Sequence, residues 1–395
     1  MLTGKTVLLG ISGGIAAYKM GYVASNLMKM NANVEVMMTE NACEFISPMT
    51  FEALTKNKCH TSLFDGEDGG KIMHITLAKS ADVLLIAPAT ANVIAKLANG
   101  LADDLLTSTV LAATCHKIIA PAMNVNMFKN PVTQDNISKL RDYGWEVVDP
   151  VDGYLACGDV GSGKMQEPEV LIAHIERSIA REKDLAGKKV LITAGATREA
   201  LDPVRFITNH SSGKMGFAIA KEAMLRGADV TLIKAFTTAE CPHLVNCIDV
   251  KSAEDMFEAV TKISDDMDII VKAAAVSDYT PESVSAGKMK KQEGDLSIPL
   301  KRTKDILAYL GEHKKEGQFI CGFSMETENL EENSTKKLEK KNCDMIVANN
   351  LKEPGAGFGT DTNRVTFITK EGAFPQELLS KEMVAKELFD RIIGK

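Results

Sequence analysis

The chain has 395 residues, 45% of them apolar and 25% charged, the balance of folded domains with full cores and enough length for two or three of them. With 46 basic against 53 acidic residues the net charge is −7, so no overall field draws in nucleic acid or an anionic membrane. The 8 cysteines are scattered without a C-x-x-C pair, which argues against a zinc site or a disulfide framework and for a reduced, cytoplasmic chain.

The opening MLTGKTVLLG has no export signal and reads instead as a first strand, an apolar run from residue 5 closing on the glycines of GISGG. A helical pattern and a second strand at 32–38 follow, so the start is a strand–glycine turn–helix–strand unit of a parallel sheet. The long apolar stretch 83–102 is broken by Pro88, Asn92, Lys96 and Asn99, so it predicts a buried strand (83–87) and a helix, not a membrane span. Core strands follow at 117–120 and 146–148, then a helix over 167–182. The polar KDLAGK at 183–188 marks the domain boundary, placed at 187/188. The second half opens like the first, with KVLITAG at 189–195 and a further strand at 228–233. Strands at 269–273, 319–323 and 345–348 alternate with helices. An antiparallel hairpin or edge strand is expected at 363–373, and the chain closes in a helix. The predicted class is α/β, two doubly wound Rossmann-like parallel-sheet domains.

Parallel sheets place ligands beyond the ends of their strands. The first glycine turn, Gly10-x-x-Gly13-Gly14, is not G-x-G-x-x-G; Thr39 at the end of the second strand suits a mononucleotide phosphate or flavin, while Glu40 keeps a dinucleotide reading open. His74 precedes the third core strand, Asn124 follows the strand at 117–120, and Cys157 lies among Gly153, Gly158, Gly161 and Gly163. A lone histidine or buried cysteine is more often structural than catalytic. The glycines around Cys157, however, predict a mobile loop that leaves its thiol accessible. That loop contains GDVGSGK, a formal match to the phosphate-loop pattern. It fails because Met165 stands where Ser or Thr would hold Mg²⁺, no apolar strand leads in, and Pro168 interrupts the following helix.

In the second half, SSGKMG at 211–216 opens a helix whose free N–H groups and serine hydroxyls suit an anion. Asp278 and Lys288 frame the loop after the strand at 269–273, a possible Mg²⁺ ligand beside a phosphate-binding cation. Lys337 and Lys341 share one helix face. Lysine clusters of this kind are usually solvated decoration.

Four motifs in order, GISGGIAAYK (10–19), MHITLAKSADVLLIAPATANVIAKLANGLADDLLT (73–107), PAMNVNM (121–127) and ACGDVGSGKM (156–165), resemble the flavin-dependent cysteine decarboxylases. Together with ITAGATREALDPVRFITNHSSGKMG (192–216), AAAVSDY (273–279), KMKK (288–291) and KKLEKKNCDMIVAN (336–349), they resemble the bifunctional phosphopantothenoylcysteine decarboxylase/phosphopantothenate–cysteine ligase family of coenzyme A biosynthesis across essentially the whole chain. Two departures are Phe128, where the family has Trp, and Lys304, where Pro is common.

The resemblance implies a flavodoxin-like flavoprotein domain at 1–187 and a ligase domain at 188–395. In the first, FMN would be held by Ser12, Gly13, Thr39, Thr90 and Asn92. There His74 would be the acid/base or orienting group, Asn124 would bind the substrate carboxylate and Cys157 would donate the closing proton. In the second, 4′-phosphopantothenate would be activated by CTP as an acyl-cytidylate and captured by L-cysteine. CTP would be bound by Lys272, Ala273, Ala274, Asp278, Lys288, Lys304, Asp305, Ile306, Leu307, Phe323, Lys337 and Lys341, with Mg²⁺ at Asp278. Asn209 would bind the acyl carbonyl, and Lys288 would offset charge developing on the phosphates. A homo-oligomer of flavin-domain trimers and ligase-domain dimers is expected, with no nucleic-acid or membrane partner. Rival readings are a flavin prenyltransferase-type or non-catalytic FMN-binding protein fused to an unrelated nucleotide-binding domain, and an NAD(P)-dependent oxidoreductase.

Overall fold

The structure, a computed structural model, describes residues 2–64, 72–156, 158–237, 239–290, 296–326, 329–350, 357 and 359–395. The chain divides into two compact units, Met1–Glu182 and Lys183–Lys395. Residues 183–187, expected in the first domain, pack on the second unit. Leu185 is buried and its N–H donates to the Arg226 carbonyl (3.1 Å), and Lys183 Nζ donates to that of Leu225 (2.7 Å).

In the first unit, β1 (Thr6–Ile11), β2 (Asn33–Met38), β3 (Cys59–His60), β4 (Val83–Ala89), β5 (His116–Pro121) and β6 (Glu146–Val147) form one sheet. All its pairs are parallel, in the order β3-β2-β1-β4-β5-β6. Parallel strands are covered on both faces, which is why β1 reads TVLLGI without alternation. Leu9 and Ile11 pack with Met20 and Val23 on one face, while Leu8 packs with Leu77, Leu84 and Leu105 on the other. The order reverses direction between β1 and β4, opening a crevice beyond their carboxyl ends. Helix starts around it are capped: Thr90 accepts from the Val93 N–H (3.3 Å) and opens Ala91–Ala98, and Asp104 with Thr107 forms a capping box for Leu105–Ala112.

The glycine-rich segment expected as a mobile loop is instead an antiparallel hairpin, β7 (Val151–Tyr154) and β8 (Val160–Lys164). Packing explains its glycines better than hinging does. Gly163 has φ +135°, and a Cβ there would sit 2.3 Å from the Met123 carbonyl oxygen, whose own residue donates its N–H to the Gly163 carbonyl (3.0 Å).

The second unit repeats the plan. Its strands are β9 (Lys189–Ala194), β10 (Arg198–Ala200), β11 (Phe206–Thr208), β12 (Asp229–Lys234), β13 (Asn246–Asp249), β14 (Ile269–Lys272), β15 (Tyr279–Pro281), β16 (Leu300–Arg302), β17 (Phe319–Glu326), β18 (Met345–Asn350), β19 (Thr362–Asn363), β20 (Val365–Thr369), β21 (Gly372–Pro375) and β22 (Leu379–Ser380). The main sheet runs β13-β12-β9-β14-β17-β18-β20-β21, parallel up to β18; β20 and β21 form the hairpin anticipated near the C-terminus, with β20 inside and β21 at the edge. Short ribbons β10–β11, β15–β16 and β19–β22 sit outside this sheet. Cys241 and Cys247 form a disulfide, against the expectation of a wholly reduced chain; their C-x₅-C spacing carries no pairing signal, and the chain turning into β13 brings them together. Among the described residues no helix is long and apolar enough to cross a membrane.

Candidate functional site

In the first unit a cavity of about 530 Å³ lies beyond the carboxyl ends of β1, β4 and β5. The turn after β1 supplies Gly13 and Gly14, the turn after β4 supplies Thr90, and Ala122, Met123 and Asn124 follow β5. The hairpin closes the far side with Tyr154, Leu155 and Ala156. Gly13 is obligatory in this turn, since a Cβ would lie 2.6 Å from that of Asn41. Ser12 does not line the cavity but fixes its floor. It is fully buried, donates to the Pro88 carbonyl (2.7 Å) and accepts from the Thr90 N–H (3.0 Å).

Asn124 is held from both sides: Oδ1 accepts from the Asn126 N–H (2.8 Å) and Nδ2 donates to Asp159 Oδ2 (2.7 Å). This ties the turn after β5 to the hairpin tip. Cys157 lies outside the described residues; its neighbours Leu155 and Ala156 face the cavity. Besides Ser12, three expected residues do not line it. Thr39 is used as the cap of Glu40–Cys43, accepting from the Ala42 N–H (3.2 Å). Asn92 is exposed on the helix Ala91–Ala98. His74 occupies the first turn of Met73–Ser80, whose Leu77 packs into the opposite core face from Met20 and Val23.

Conversely, the cavity is also lined by Lys19 and Lys164, which share one carboxylate: each reaches Glu167, at 2.8 and 3.1 Å. Lys19 stands inside the GISGGIAAYK motif, so the signal was present; it was passed over for the glycines beside it.

In the second unit two cavities of about 390 and 330 Å³ meet along shared walls, Lys272, Val276, Asp278 and Lys337. The first is lined by Arg302–Leu307, with Lys304, Asp305, Ile306 and Leu307 all present. The second is lined by Asn209, the start of the helix Lys214–Leu225, residues 273–276 and Phe323. The groove therefore joins Lys272, Asp278 and Lys337 to both expected groups of residues, while Ala273, Ala274 and Phe323 fall on its second half. Lys272, at the end of β14, is half-buried; burial pulls its ammonium down to about 8, the neighbouring Lys337 pulls in the same direction, and Asp305 and Asp278 offset part of this. Asp305 caps the helix Ile306–Glu312 through the Ala308 N–H (2.9 Å) and receives Lys341 Nζ at 2.6 Å. That ion pair holds Lys341 outside the cavity lining. Lys304 lines it but is drawn sideways to Glu254 (2.6 Å). Asn209 Nδ2 donates to the Ala275 carbonyl at 3.2 Å.

Lys288 is exposed and lines neither cavity, because its loop is anchored one residue further on. Buried Asp202 accepts from the Met289 N–H (3.1 Å) and from Arg205 (Nε 2.9 Å, Nη2 2.6 Å), and Arg205 donates in turn to the Met289 carbonyl (2.7 Å). Burial pushes the Asp202 carboxyl up, and the hydrogen bonds from Val204, Arg205 and Met289 outweigh it, so it stays ionised. Sequence reasoning missed this pair, although LDPVR lies within the motif that carried the resemblance.

Asp278 and Asp305 are the carboxylates that line the first cavity, and among the described residues no group of three or more His, Cys, Asp or Glu could hold an ion. The arrangement suits Mg²⁺ carried in by a nucleotide, which needs one or two protein carboxylates and takes its other ligands from phosphate and water.

Two ligand crevices at the switch points of two doubly wound sheets, one apolar-walled and one lysine-lined, define a two-domain enzyme with a separate site in each domain. Residues 1–180 match the family described as Flavoprotein, and residues 185–395 match the DNA/pantothenate metabolism flavoprotein C-terminal domain. The chain is 50% identical to the coenzyme A biosynthesis bifunctional protein CoaBC of Bacillus subtilis (strain 168), over 99% of this chain and 97% of that one. It is 46% identical to the protein of the same name from Vibrio cholerae serotype O1, over 99% and 98%. A crystal structure of the C-terminal domain of a CoaBC protein matches at 44% identity and TM-score 0.46, covering 53% of this chain and 96% of that one. The chain belongs to the CoaBC family of bifunctional coenzyme A biosynthesis proteins. Its two activities are those of a phosphopantothenoylcysteine decarboxylase and a phosphopantothenate–cysteine ligase.

Proposed function

We propose that the lysine-lined groove of the second unit binds CTP with Mg²⁺ in its first cavity and 4′-phosphopantothenate in its second, so that the carboxylate meets the nucleotide α-phosphate where the cavities join. A single observation carries this reading: Lys272, Asp278 and Lys337 belong to both cavities. Attack of the carboxylate forms the acyl-cytidylate and releases pyrophosphate; the amine of L-cysteine then displaces CMP to give the amide. Lys272 and Lys337 hold the phosphates at the junction, Asp278 holds Mg²⁺, and residues 304–307 line the ribose and base. Asn209, fixed on the Ala275 carbonyl, faces the acyl group. Lys288 acts after closure of the loop anchored at Met289, supplying positive charge as pyrophosphate leaves.

The cavity of the first unit is the FMN and decarboxylation site. Its fit rests on the glycine turn that a Cβ at residue 13 would fill and on its place at the switch point between β1 and β4. FMN, when bound, supplies the two-electron oxidation of the substrate thiol that allows CO₂ to leave. Gly13, Thr90 and the Ser12-braced floor hold the cofactor, Asn124 orients the substrate carboxylate, and Cys157 donates the final proton. His74 lies outside the cavity of its own chain, so its contribution requires a neighbouring copy. Exposed Ile15, Tyr18, Tyr22, Phe45 and Met49 offer apolar surface for the flavin-domain trimer this needs, with ligase-domain dimers and a cytoplasmic setting completing the picture.

The test is incubation of the whole protein with 4′-phosphopantothenate, L-cysteine and either CTP or ATP. Pyrophosphate and CO₂ appearing with CTP support both halves; no pyrophosphate, or equal rates with ATP, overturns the nucleotide assignment. Mixed oligomers of His74→Ala and Cys157→Ser chains, neither of which should form 4′-phosphopantetheine alone, should regain its formation, and persistent failure to form it would remove the shared-site reading.

A further inference from the structure

At the amino-terminal edge of the first unit's sheet lies a further cavity, of about 370 Å³, outside every role assigned so far. Lys117, the second residue of β5, lines it, while the other end of β5 delivers Ala122–Asn124 to the FMN cavity. Five strand residues separate the two, about 16 Å. Three helices end around the cavity: Ala91–Ala98 at Asn99, Leu105–Ala112 at Ala113 and Pro131–Asp142 at Tyr143. Its walls are apolar and aromatic, with half-buried Trp145 inside and exposed Leu101, Leu111 and Tyr143 at 57%, 65% and 62%.

Lys117 and Lys139 are the charged residues that line it. Lys117 Nζ donates to the Ala113 carbonyl (2.6 Å) and Lys139 Nζ to Asn99 Oδ1 (3.1 Å). Capping of helix C-termini by lysine accounts for these bonds. It uses one of the three N–H donors on each ammonium, and both acceptors are neutral. Among the described residues neither lysine has an ion-pair partner and no carboxylate lines the cavity. The two acids of the adjoining loop, Asp103 and Asp104, are turned to Lys96 at 2.7 and 3.6 Å. Lys117 Nζ lies 5.9 Å from the centre of the Trp145 ring, and Lys139 Nζ 6.0 Å from that of Tyr143. Two uncompensated cations are thus seated against aromatic faces of one small cavity.

We propose that this cavity is a binding site for a small amphipathic monocarboxylate, separate from both activities. The carboxylate meets Lys117 and Lys139, and the apolar body lies against Trp145, Leu101 and Leu111. The volume is that of about a dozen water molecules at roughly 30 Å³ each, room for an acid of about a dozen non-hydrogen atoms. A monoanion fits better than a phosphate dianion, because the three helix C-termini carry partial negative charge that two lysines only partly offset.

Trp145 is the single tryptophan of the chain, so its fluorescence reads this cavity directly. The experiment titrates the whole protein with 3-phenylpropionate, its neutral amide and phenyl phosphate, for wild type, Lys117→Met and Lys139→Met. Wild type should bind the carboxylate saturably, with Kd on the order of 0.1 to 1 mM, and the amide and phenyl phosphate about tenfold more weakly. Each lysine variant should weaken carboxylate binding about tenfold with little change for the amide, while both activities stay at wild-type rates. If Lys117→Met fails to fold, Lys139→Met, nearer the surface, carries the question. No saturable change in wild type, equal affinity for acid and amide, or folded lysine variants with wild-type affinity overturns the site. Displacement of the acid by phosphopantothenoylcysteine places it in the FMN cavity and also overturns the site. Phenyl phosphate binding more tightly than the carboxylate overturns the ligand class.

Discussion

Lys272 brings a positive charge to a half-buried position at the junction of two cavities, and its depressed pKa makes that charge conditional. Because the folded value (about 8) lies below the ordinary 10.5, the unfolded chain holds more protons between those limits, and stability rises with pH across that window. Nucleotide binding follows the opposite sense, since phosphates need the ammonium. CTP affinity should fall as pH rises through 8, with uptake of about half a proton per nucleotide at pH 8, readable by calorimetry in buffers of different ionisation heat. Lys272→Met should weaken binding and remove the proton uptake; uptake unchanged in that variant would assign it to another group. A second residue-scale case is Glu146, clamped by His116 (2.8 Å) and His174 (2.5 Å). Burial raises its pKa, but the two imidazoles outweigh it and bring the carboxyl down to about 2. Its contribution is present above 4.5 and lost as pH falls from there toward 2, on the order of 2 kcal/mol. Urea midpoints of wild type and Glu146→Gln should converge in that acid window.

At the scale of elements, the two sites are shaped by segments that hold catalytic loops without entering the chemistry. The β7–β8 hairpin is seated on the turn after β5 by the contact of Gly163 with Met123. Gly163→Ala must displace one or the other, and we expect about 1–3 kcal/mol of lost stability and weakened FMN retention. Gly158→Ala separates strain from crowding: its φ is +91°, but the nearest atom to a Cβ is the Tyr154 hydroxyl at 3.9 Å. It should lose less FMN than Gly163→Ala, as measured by flavin fluorescence on dilution. The Asp202–Arg205 pair does the same for the loop carrying Lys288. Asp202→Asn should lower the rate of pyrophosphate release by about tenfold to a hundredfold while leaving decarboxylation of supplied phosphopantothenoylcysteine intact. Loss of both activities would mean that the pair supports folding instead.

For the whole molecule, two units with separate cores imply two transitions, each answering to its own ligand. FMN should raise only the transition of residues 1–182 and CTP only that of residues 183–395. At a hundredfold excess over Kd each effect is about 2.7 kcal/mol, roughly 5 to 10 °C for units of this size. A single transition raised by either ligand would show the units to be thermodynamically coupled.

How much of this was legible in the residues depends on the range of the interactions. Strand and helix positions were readable because runs such as TVLLGI and KVLITA are buried on both faces and need no partner to declare themselves. The family was readable because its motifs are contiguous. Gly13, Thr90 and Asn124, which line the cavity of the first unit, stand in contiguous motifs at strand ends and so were legible as candidates for the same reason. That Thr39 caps the helix Glu40–Cys43 and Asn92 sits on an exposed helix face, neither lining the cavity, was not legible, because a cap and an exposed helix face look identical in one dimension to cavity-lining positions. The hairpin formed by Val151–Tyr154 and Val160–Lys164 was misread since two of its glycines, Gly161 and Gly163, answer to Val125 and Met123, which are distant in the chain. The sequence alone determined two α/β domains, their activities and most of the residues that line the lysine-rich groove of the second unit. Only the tertiary structure decided that Lys272 serves both cavities and that Asp202 holds the Lys288 loop. Those facts depend on which side chains meet across strands and loops, and no local spacing encodes that.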